Sequence, residues 1–241
     1  MYLIFVKSLE IFDKMLKKLI NLLYPKLCGG CDSLLLKSEI ILCCSCLHKL
    51  PYTYHHKFEN NDSINKLSGL IPIEFGCSLL YFHKNGITQN LIHNLKYRNQ
   101  QKLGIFLGKL QANDFIALTN KYQFSEIIPV PLHPKKQKER GYNQVSKYGE
   151  TLADLLKIEY NPNLLIKKKY SKSQTKKNRE NREKISDSFF DIIYSEKDYG
   201  KHFLLIDDVI TTGATLEACA KTLLKIPDCK VSFATIANTL S

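Results

Sequence analysis

The sequence predicts an α/β protein: a mostly parallel sheet covered by helices on both faces, preceded by a small cysteine-rich segment. Three observations predict it. From about residue 68, apolar runs of strand length alternate with amphipathic stretches of helix length. Several of those runs are nearly continuous in apolar character, as in strands buried on both faces. Five of the eight cysteines fall between residues 28 and 46, ahead of the alternation. The expected division is 1–60 for an N-terminal helix, the cysteine cluster and a polar tail, "HHKFENNDS", read as a linker. The α/β domain is expected over 68–241.

In chain order, Phe5, Leu9, Phe12, Leu16, Leu19, Ile20 and Leu23 recur at helical spacing and predict one amphipathic helix. Lys7, Glu10 and Asp13 interrupt it well short of the ~18 apolar residues a membrane span needs, so no spanning or secretory segment is expected. That implies a reducing, cytoplasmic setting. "EFGCSLLYF" predicts a strand, and "ITQNLIHNLKY" and "KLGIFLGKLQAND" predict two helices. "EIIPVPL" is a strand stopped by prolines. "NQVSKYGETLADLLK" is a helix with Val145, Tyr148, Leu152, Leu155 and Leu156 on one face. "NLLI", "FFDIIY", "HFLLID" and "KVSFATIA" complete the strands, the last two flanking a helix over 213–226. No internal repeat is present.

Composition bounds the function classes. The 241 residues are 44% apolar and 10% aromatic, enough for a packed core. The net charge of +12 suggests an anionic partner: a nucleic acid, a phosphorylated small molecule or a membrane surface. Solvated lysine-rich surfaces account for the same excess equally well.

"CGGC" at Cys28–Cys31 and "CCSC" at Cys43–Cys46 are two Cys-x2-Cys knuckles with eleven residues between them. Such spacing lets four thiolates reach one ion at roughly 2.3 Å. A structural zinc site of Cys28, Cys31, Cys43 and Cys46 is expected, with an iron–sulfur centre or a redox pair as alternatives. Cys44 is left over; His48, His55 and His56 are nearby alternative ligands without comparable spacing and are expected at the surface. Cys77, Cys219 and Cys229 fall in apolar patterns and are expected in the core.

"HFLLIDDVITTGAT" ends a buried strand in two aspartates and opens a helix. Ligands of open α/β sheets bind beyond the carboxyl ends of strands. Neighbouring residues in a strand point to opposite faces, so the strand is expected to be ending and turning at Asp207 and Asp208 for both to serve one ligand. Thr211, Thr212 and Thr215, with the free amides of a helix N-terminus, suit a phosphate, and Gly213 would permit close approach. A sugar phosphate has both needs, a phosphate at one end and a vicinal diol at the other. No Gly-x4-Gly-Lys-Ser/Thr loop is present.

"LLIDDVITTGAT" resembles the phosphoribosyl-pyrophosphate (PRPP) motif of type I phosphoribosyltransferases. With "LLYPKLCGGC", "LIHNLKYR" and "PVPLHPKKQKERGYNQ", nearly the whole chain resembles the ComF family of competence-associated phosphoribosyltransferase-like proteins, GntX-type members included. Arg140, Gly141, Tyr142, Asn143 and Gln144 are that family's most distinctive mark. The resemblance implies a type I, Rossmann-like fold. Asp207 and Asp208 would hold the ribose hydroxyls and stabilise a cationic transition state, and Thr211, Thr212, Gly213, Ala214 and Thr215 the 5′-phosphate. Lys96 and Tyr97 would form a pyrophosphate-contacting turn, and magnesium would neutralise the pyrophosphate. The loop Lys167–Lys184, with nine Lys or Arg against two Glu, would be a hood carrying Gln174 and Arg182. Ile185 stands where the family usually has Asn.

Two functions follow. One is Mg-dependent phosphoribosyl transfer to an unidentified acceptor in competence, DNA uptake or DNA processing. The other is a non-catalytic accessory protein that meets single-stranded DNA, or the uptake machinery, through its basic surface. A glutamine amidotransferase would need an N-terminal cysteine nucleophile, which is not visible here.

Overall fold

A computed structural model describes residues 25–98, 100–167 and 189–240, together with Met15, Leu16 and Leu23. The helix expected from the periodicity of Phe5 to Leu23 otherwise lies outside the described residues. The chain divides into two compact units, Met1–Lys49 and Leu50–Ser241. In the first, an isolated bridge between Leu27 and Leu34 closes one knuckle, and a short helix α1 (Cys44–His48) carries the other.

The second unit is built on five parallel strands in the order β1-β7-β6-β2-β3. These are β1 (Gly76–Phe82), β2 (Glu126–Pro129), β3 (Glu159–Tyr160), β6 (His202–Ile210) and β7 (Lys230–Thr239). The middle strands β6 and β7 are apolar on both sides because both faces are covered. On one face lie α4 (Gln101–Tyr122) and α6 (Ser146–Leu156), with α3 (Ile87–Tyr97) against the end of α4. A Cβ on Gly108 would stand 2.8 Å from the Tyr148 carbonyl oxygen and 2.9 Å from Thr151 Cβ. Glycine there is what lets α4 and α6 approach so closely. The other face is closed by α7 (Ala214–Leu223), whose Leu216, Cys219 and Leu223 pack on Phe203 and Leu205 of β6 and Phe233 of β7.

The runs "NLLI" and "FFDIIY" do form strands, but not in the main sheet. β4 (Leu165–Lys167) and β5 (Phe190–Ile192) pair antiparallel with each other as a separate ribbon. Leu164, Leu165 and Phe190 join the α7-side core, and Ile166 and Asp191 face outward, so the ribbon has one apolar face to bury.

The polar tail expected as a linker is folded onto β1. Tyr52 bridges to Leu80, and the Thr53 amide donates to the Leu79 carbonyl at 3.1 Å. Asn61 caps the short helix α2 (Asp62–Asn65) and donates to the Gly76 carbonyl at 2.9 Å. His55, expected at the surface, is buried. Its Nδ1 lies 3.0 Å from Ser63 Oγ, which leads to Ser78 Oγ at 2.7 Å and on to Thr235 Oγ1 at 2.6 Å. A polar stretch is misread as linker when its polar atoms satisfy one another. Of the lone cysteines, Cys77 and Cys219 are core residues, whereas Cys229 is only half-buried.

Candidate functional site

β6 does not end at the aspartates. It continues through Asp208 to Ile210, paired with β7 as far as Asn238, so the two carboxylates point to opposite faces. The expectation of a strand turning at that point is therefore corrected: the ladder to β7 continues and keeps the backbone extended. Asp207 shares the α7 side with Phe203 and Leu205. Its Oδ1 accepts the Asp208 amide at 2.8 Å. Burial, and then the neighbouring Asp208 charge, push its carboxyl up to about 8.

On that side Asp207 shares a small cavity with Thr211, Thr212, Gly213, Ala214 and Thr215. Its volume is about 40 Å³, room for a few water-sized spheres of ~10–15 Å³ each. It is a small recess at the mouth of α7. Among the described residues no side chain caps α7, which leaves its first amides to the cavity. The Ala214 amide has only a long 3.5 Å contact with Thr212 Oγ1. Thr211, Thr212 and Thr215 are exposed. The fold itself also needs glycine at 213. Gly213 sits at φ +85°, and a Cβ there would stand 2.7 Å from Leu67 Cδ2. Beside Leu67, Lys66 donates to the carbonyl (2.5 Å) and hydroxyl (3.2 Å) of Thr239 at the end of β7. Nothing in its polar surroundings in the sequence marks Lys66 as part of this end of the sheet.

On the opposite side Asp208 is buried, and its Oδ2 takes two bonds: from Lys96 Nζ at 2.9 Å and from Gln144 Nε2 at 2.8 Å. Lys96 and Tyr97 lie in the last turn of α3 rather than in a following turn. Tyr97 is 66% exposed, with the Arg140 guanidinium 5.1 Å from its ring centre. Arg140 also donates to Gln144 Oε1 at 2.8 Å. A helix α5 (Pro134–Arg140) ends at Gly141 with φ +75°, which turns the chain so that the next three residues reach three elements. Tyr142 Oη donates to the Leu95 carbonyl of α3 at 2.7 Å. Asn143 Nδ2 donates to the Val130 carbonyl beyond β2 at 3.0 Å, and Gln144 reaches β6. Lys96, Tyr97, Arg140 and Tyr142 line a cavity of about 270 Å³ with Lys136 and Glu139. The sequence marks Gln144 as part of the Arg140–Gln144 motif, but its bond to Asp208, 64 residues away, was not legible there. Gln174, Arg182 and Ile185 lie outside the described residues.

In the first unit, Cys28, Cys31, Cys43 and Cys46 place their sulfurs within 4.8 Å of one another. The Cys31 and Cys43 sulfurs are 3.8 Å apart, the edge of a tetrahedron with bonds of about 2.3 Å. Backbone amides point at the sulfurs, Cys43 N to Cys28 Sγ at 3.2 Å and Cys46 N to Cys43 Sγ at 3.4 Å. Ser33 Oγ lies 3.0 Å from Cys31 Sγ and is the main cause of a thiol pKa lowered to about 6. The set fits a closed four-sulfur zinc site. Cys44 stands outside it, exposed, and its amide is taken by Glu39 at 2.7 Å. Among the described residues no helix is long and apolar enough to cross a membrane.

Comparison with known proteins bears on the same regions. Residues 145–241 match the phosphoribosyl transferase domain family. The chain is 31% identical over 143 residues to Competence protein F of Haemophilus influenzae, covering 56% of this chain and 61% of that protein. It is 36% identical over 117 residues to Competence protein ComFC of Streptococcus pneumoniae, covering 48% and 50%. With DNA utilization protein YhgH of Shigella flexneri it shares 25% over 138 residues, covering 56% and 60%. The chain thus spans between half and about three-fifths of these relatives' length. The domain match and the parallel sheet agree on a type I phosphoribosyltransferase fold.

Proposed function

For a chain with a phosphoribosyl transferase domain and similarity to ComF and ComFC competence proteins, we propose that it binds PRPP, or a related ribose phosphate, together with magnesium. The observation that carries this reading is the single cavity shared by Asp207 and the Thr211–Thr215 segment at the carboxyl end of the central strand. The α7 amides and threonine hydroxyls receive the 5′-phosphate. Asp207 accepts a ribose hydroxyl on the cavity side, and Asp208, on the opposite face of β6, receives the ligand from the Lys96 side. Lys96 leaves Asp208 for the pyrophosphate end, beside Tyr97 and Arg140. Magnesium, bound with the ligand, neutralises pyrophosphate charge and favours oxygen ligands. As pyrophosphate departs, positive charge grows on the sugar, and preorganised carboxylates beside it lower the barrier. Gln174 and Arg182 belong to the hood in this reading, and zinc braces the first unit. The names of the relatives, competence proteins and a DNA utilization protein, support a setting in competence or DNA processing.

The test is calorimetric titration with PRPP, with and without magnesium, followed by an assay of pyrophosphate release. Binding that requires magnesium and is lost in Thr212→Val supports the reading. Equal affinity in the variant would place the phosphate elsewhere.

A second reading, contact with single-stranded DNA, is favoured by the exposed Lys135, Lys136 and Lys138 of α5 and the net charge of +12. It is compatible with the first, because α5 borders the Lys96 cavity without entering the Asp207 one.

A further inference from the structure

We propose that Gln144 is a positioning residue that holds the Asp208 carboxylate in its ligand-receiving pose, with Arg140 fixing the orientation of the Gln144 amide. The inference rests on the PRPP reading above and deepens it.

The amide's orientation follows from its neighbours. Arg140 has only donors and an ionised Asp208 only acceptors. An amide between them must turn its oxygen to the guanidinium and its nitrogen to the carboxylate, and both bonds are 2.8 Å. Gln144 is itself buried, so neither end is freely exchanged for water. The segment is anchored on both sides of the site. Arg140 rests on Tyr97, and Tyr142 is bonded to the Leu95 carbonyl. These contacts lock the motif onto the turn of α3 that carries Lys96. The five residues therefore act as one brace between α3 and β6.

The two donors to Asp208 differ in kind. Lys96 brings a charge on a flexible stem, can swing to a ligand, and cancels the carboxylate's charge while it stays. Gln144 is neutral and held at its far end, so it fixes Asp208 without cancelling that charge. Both bonds fall on Oδ2; among the described residues no hydrogen bond reaches Oδ1. When Lys96 departs, Gln144 is what keeps a buried carboxylate aimed instead of free to rotate.

A double-mutant cycle on PRPP affinity in the presence of magnesium tests this, in the full chain. Gln144→Ala should weaken binding about 10-fold, the size of one hydrogen bond to a charged group. In an Asp208→Asn background the same change should cost less than about 2-fold, because its target has been altered. Thr212→Val, acting at the phosphate, should cost the same factor in both backgrounds. Arg140→Lys should give a smaller loss than Gln144→Ala, silent in Asp208→Asn as well. Melting temperatures show whether each variant is folded. If Gln144→Ala is not, Gln144→Met nearly keeps the volume, lacks the donor without adding a charge, and should show the same dependence on Asp208. Additive losses for Gln144 and Asp208 in folded variants would overturn the inference while leaving the PRPP reading standing. A wild-type chain that binds no PRPP would overturn both.

Discussion

At the scale of single residues, Asp207 and Asp208 are neighbours with opposite surroundings. Asp208 is held by Lys96 and Gln144; Asp207 has the Asp208 amide and a neighbouring negative charge. Burial and that charge raise the Asp207 carboxyl to about 8, against ~3.9 for a free aspartate. The folded state therefore holds a proton that the unfolded chain gives up between those values. Stability from this group is fully present below pH ~4 and is lost as pH rises through about 8. Asp207→Asn cannot ionise. Its melting temperature should match wild type near pH 4 and exceed it by a margin growing toward pH 8–9, while PRPP affinity falls. Melting curves across pH check this, and a constant offset at every pH would refute the assignment. Nearby, Thr212→Val should lower PRPP affinity on the order of 10-fold with an unchanged melting temperature, since its side chain is exposed. Gly213→Val differs: a β-branched residue at φ +85° that would strike Leu67 should destabilise the fold by a few kcal/mol. Thermal melts separate these two routes to lost binding.

At the scale of elements, the cysteine knuckles are held by spacing and by amides aimed at sulfur. One zinc per chain should be lost in Cys28→Ser or Cys46→Ser and kept in Cys44→Ser. Metal analysis of the purified variants reads this directly. Because a closed site of this size has little core of its own, metal removal should unfold residues 25–49 first, seen as loss of hydrogen-exchange protection there. These knuckles were legible because metal ligation fixes residue spacing along the chain. So were α3, whose bounds match its amphipathic run, and the paired strands β6 and β7, whose apolar runs need two covered faces. What escaped the sequence was long-range pairing. Apolar pattern cannot tell that β4 and β5 pair with each other apart from the main sheet. Nor can it tell that His55, Ser63, Ser78 and Thr235 form one buried chain of hydrogen bonds, since the first two lie in a polar stretch and the last two in separate strand runs. The site was half legible for the same reason. The Thr211–Thr215 cradle is contiguous, whereas the brace from Arg140 through Gln144 to Asp208 joins segments 64 residues apart.

At the scale of the whole molecule, the open choice is between an enzyme, a ligand-holding module and a DNA-contacting protein, and charge decides how to separate them. Asp207→Asn with Asp208→Asn keeps shape and removes the Asp208 charge together with the one Asp207 carries above about pH 8. If those charges stabilise a cationic transition state, they matter more there than in the ground state. The double variant should then lose pyrophosphate release by on the order of 100-fold beyond its loss of PRPP affinity. A module that only holds PRPP shows no release with any acceptor, and the variant loses affinity alone. The basic side of the molecule is tested by salt. Contacts to single-stranded phosphates give an affinity falling with a slope of about 0.7 in log units per contact. Alanine at Lys135, Lys136 and Lys138 should therefore flatten the slope for a single-stranded oligonucleotide by about 2 if all three meet phosphates. The same variant should leave PRPP affinity nearly unchanged, because none of the three lies in the Asp207 cavity and only Lys136 borders the Lys96 one. A salt slope that does not move, with DNA affinity intact, assigns α5 to solvent and leaves the +12 charge to other surfaces. A slope that flattens while magnesium-dependent PRPP binding persists places two anionic ligands on one domain, on surfaces that meet at the carboxyl end of α3.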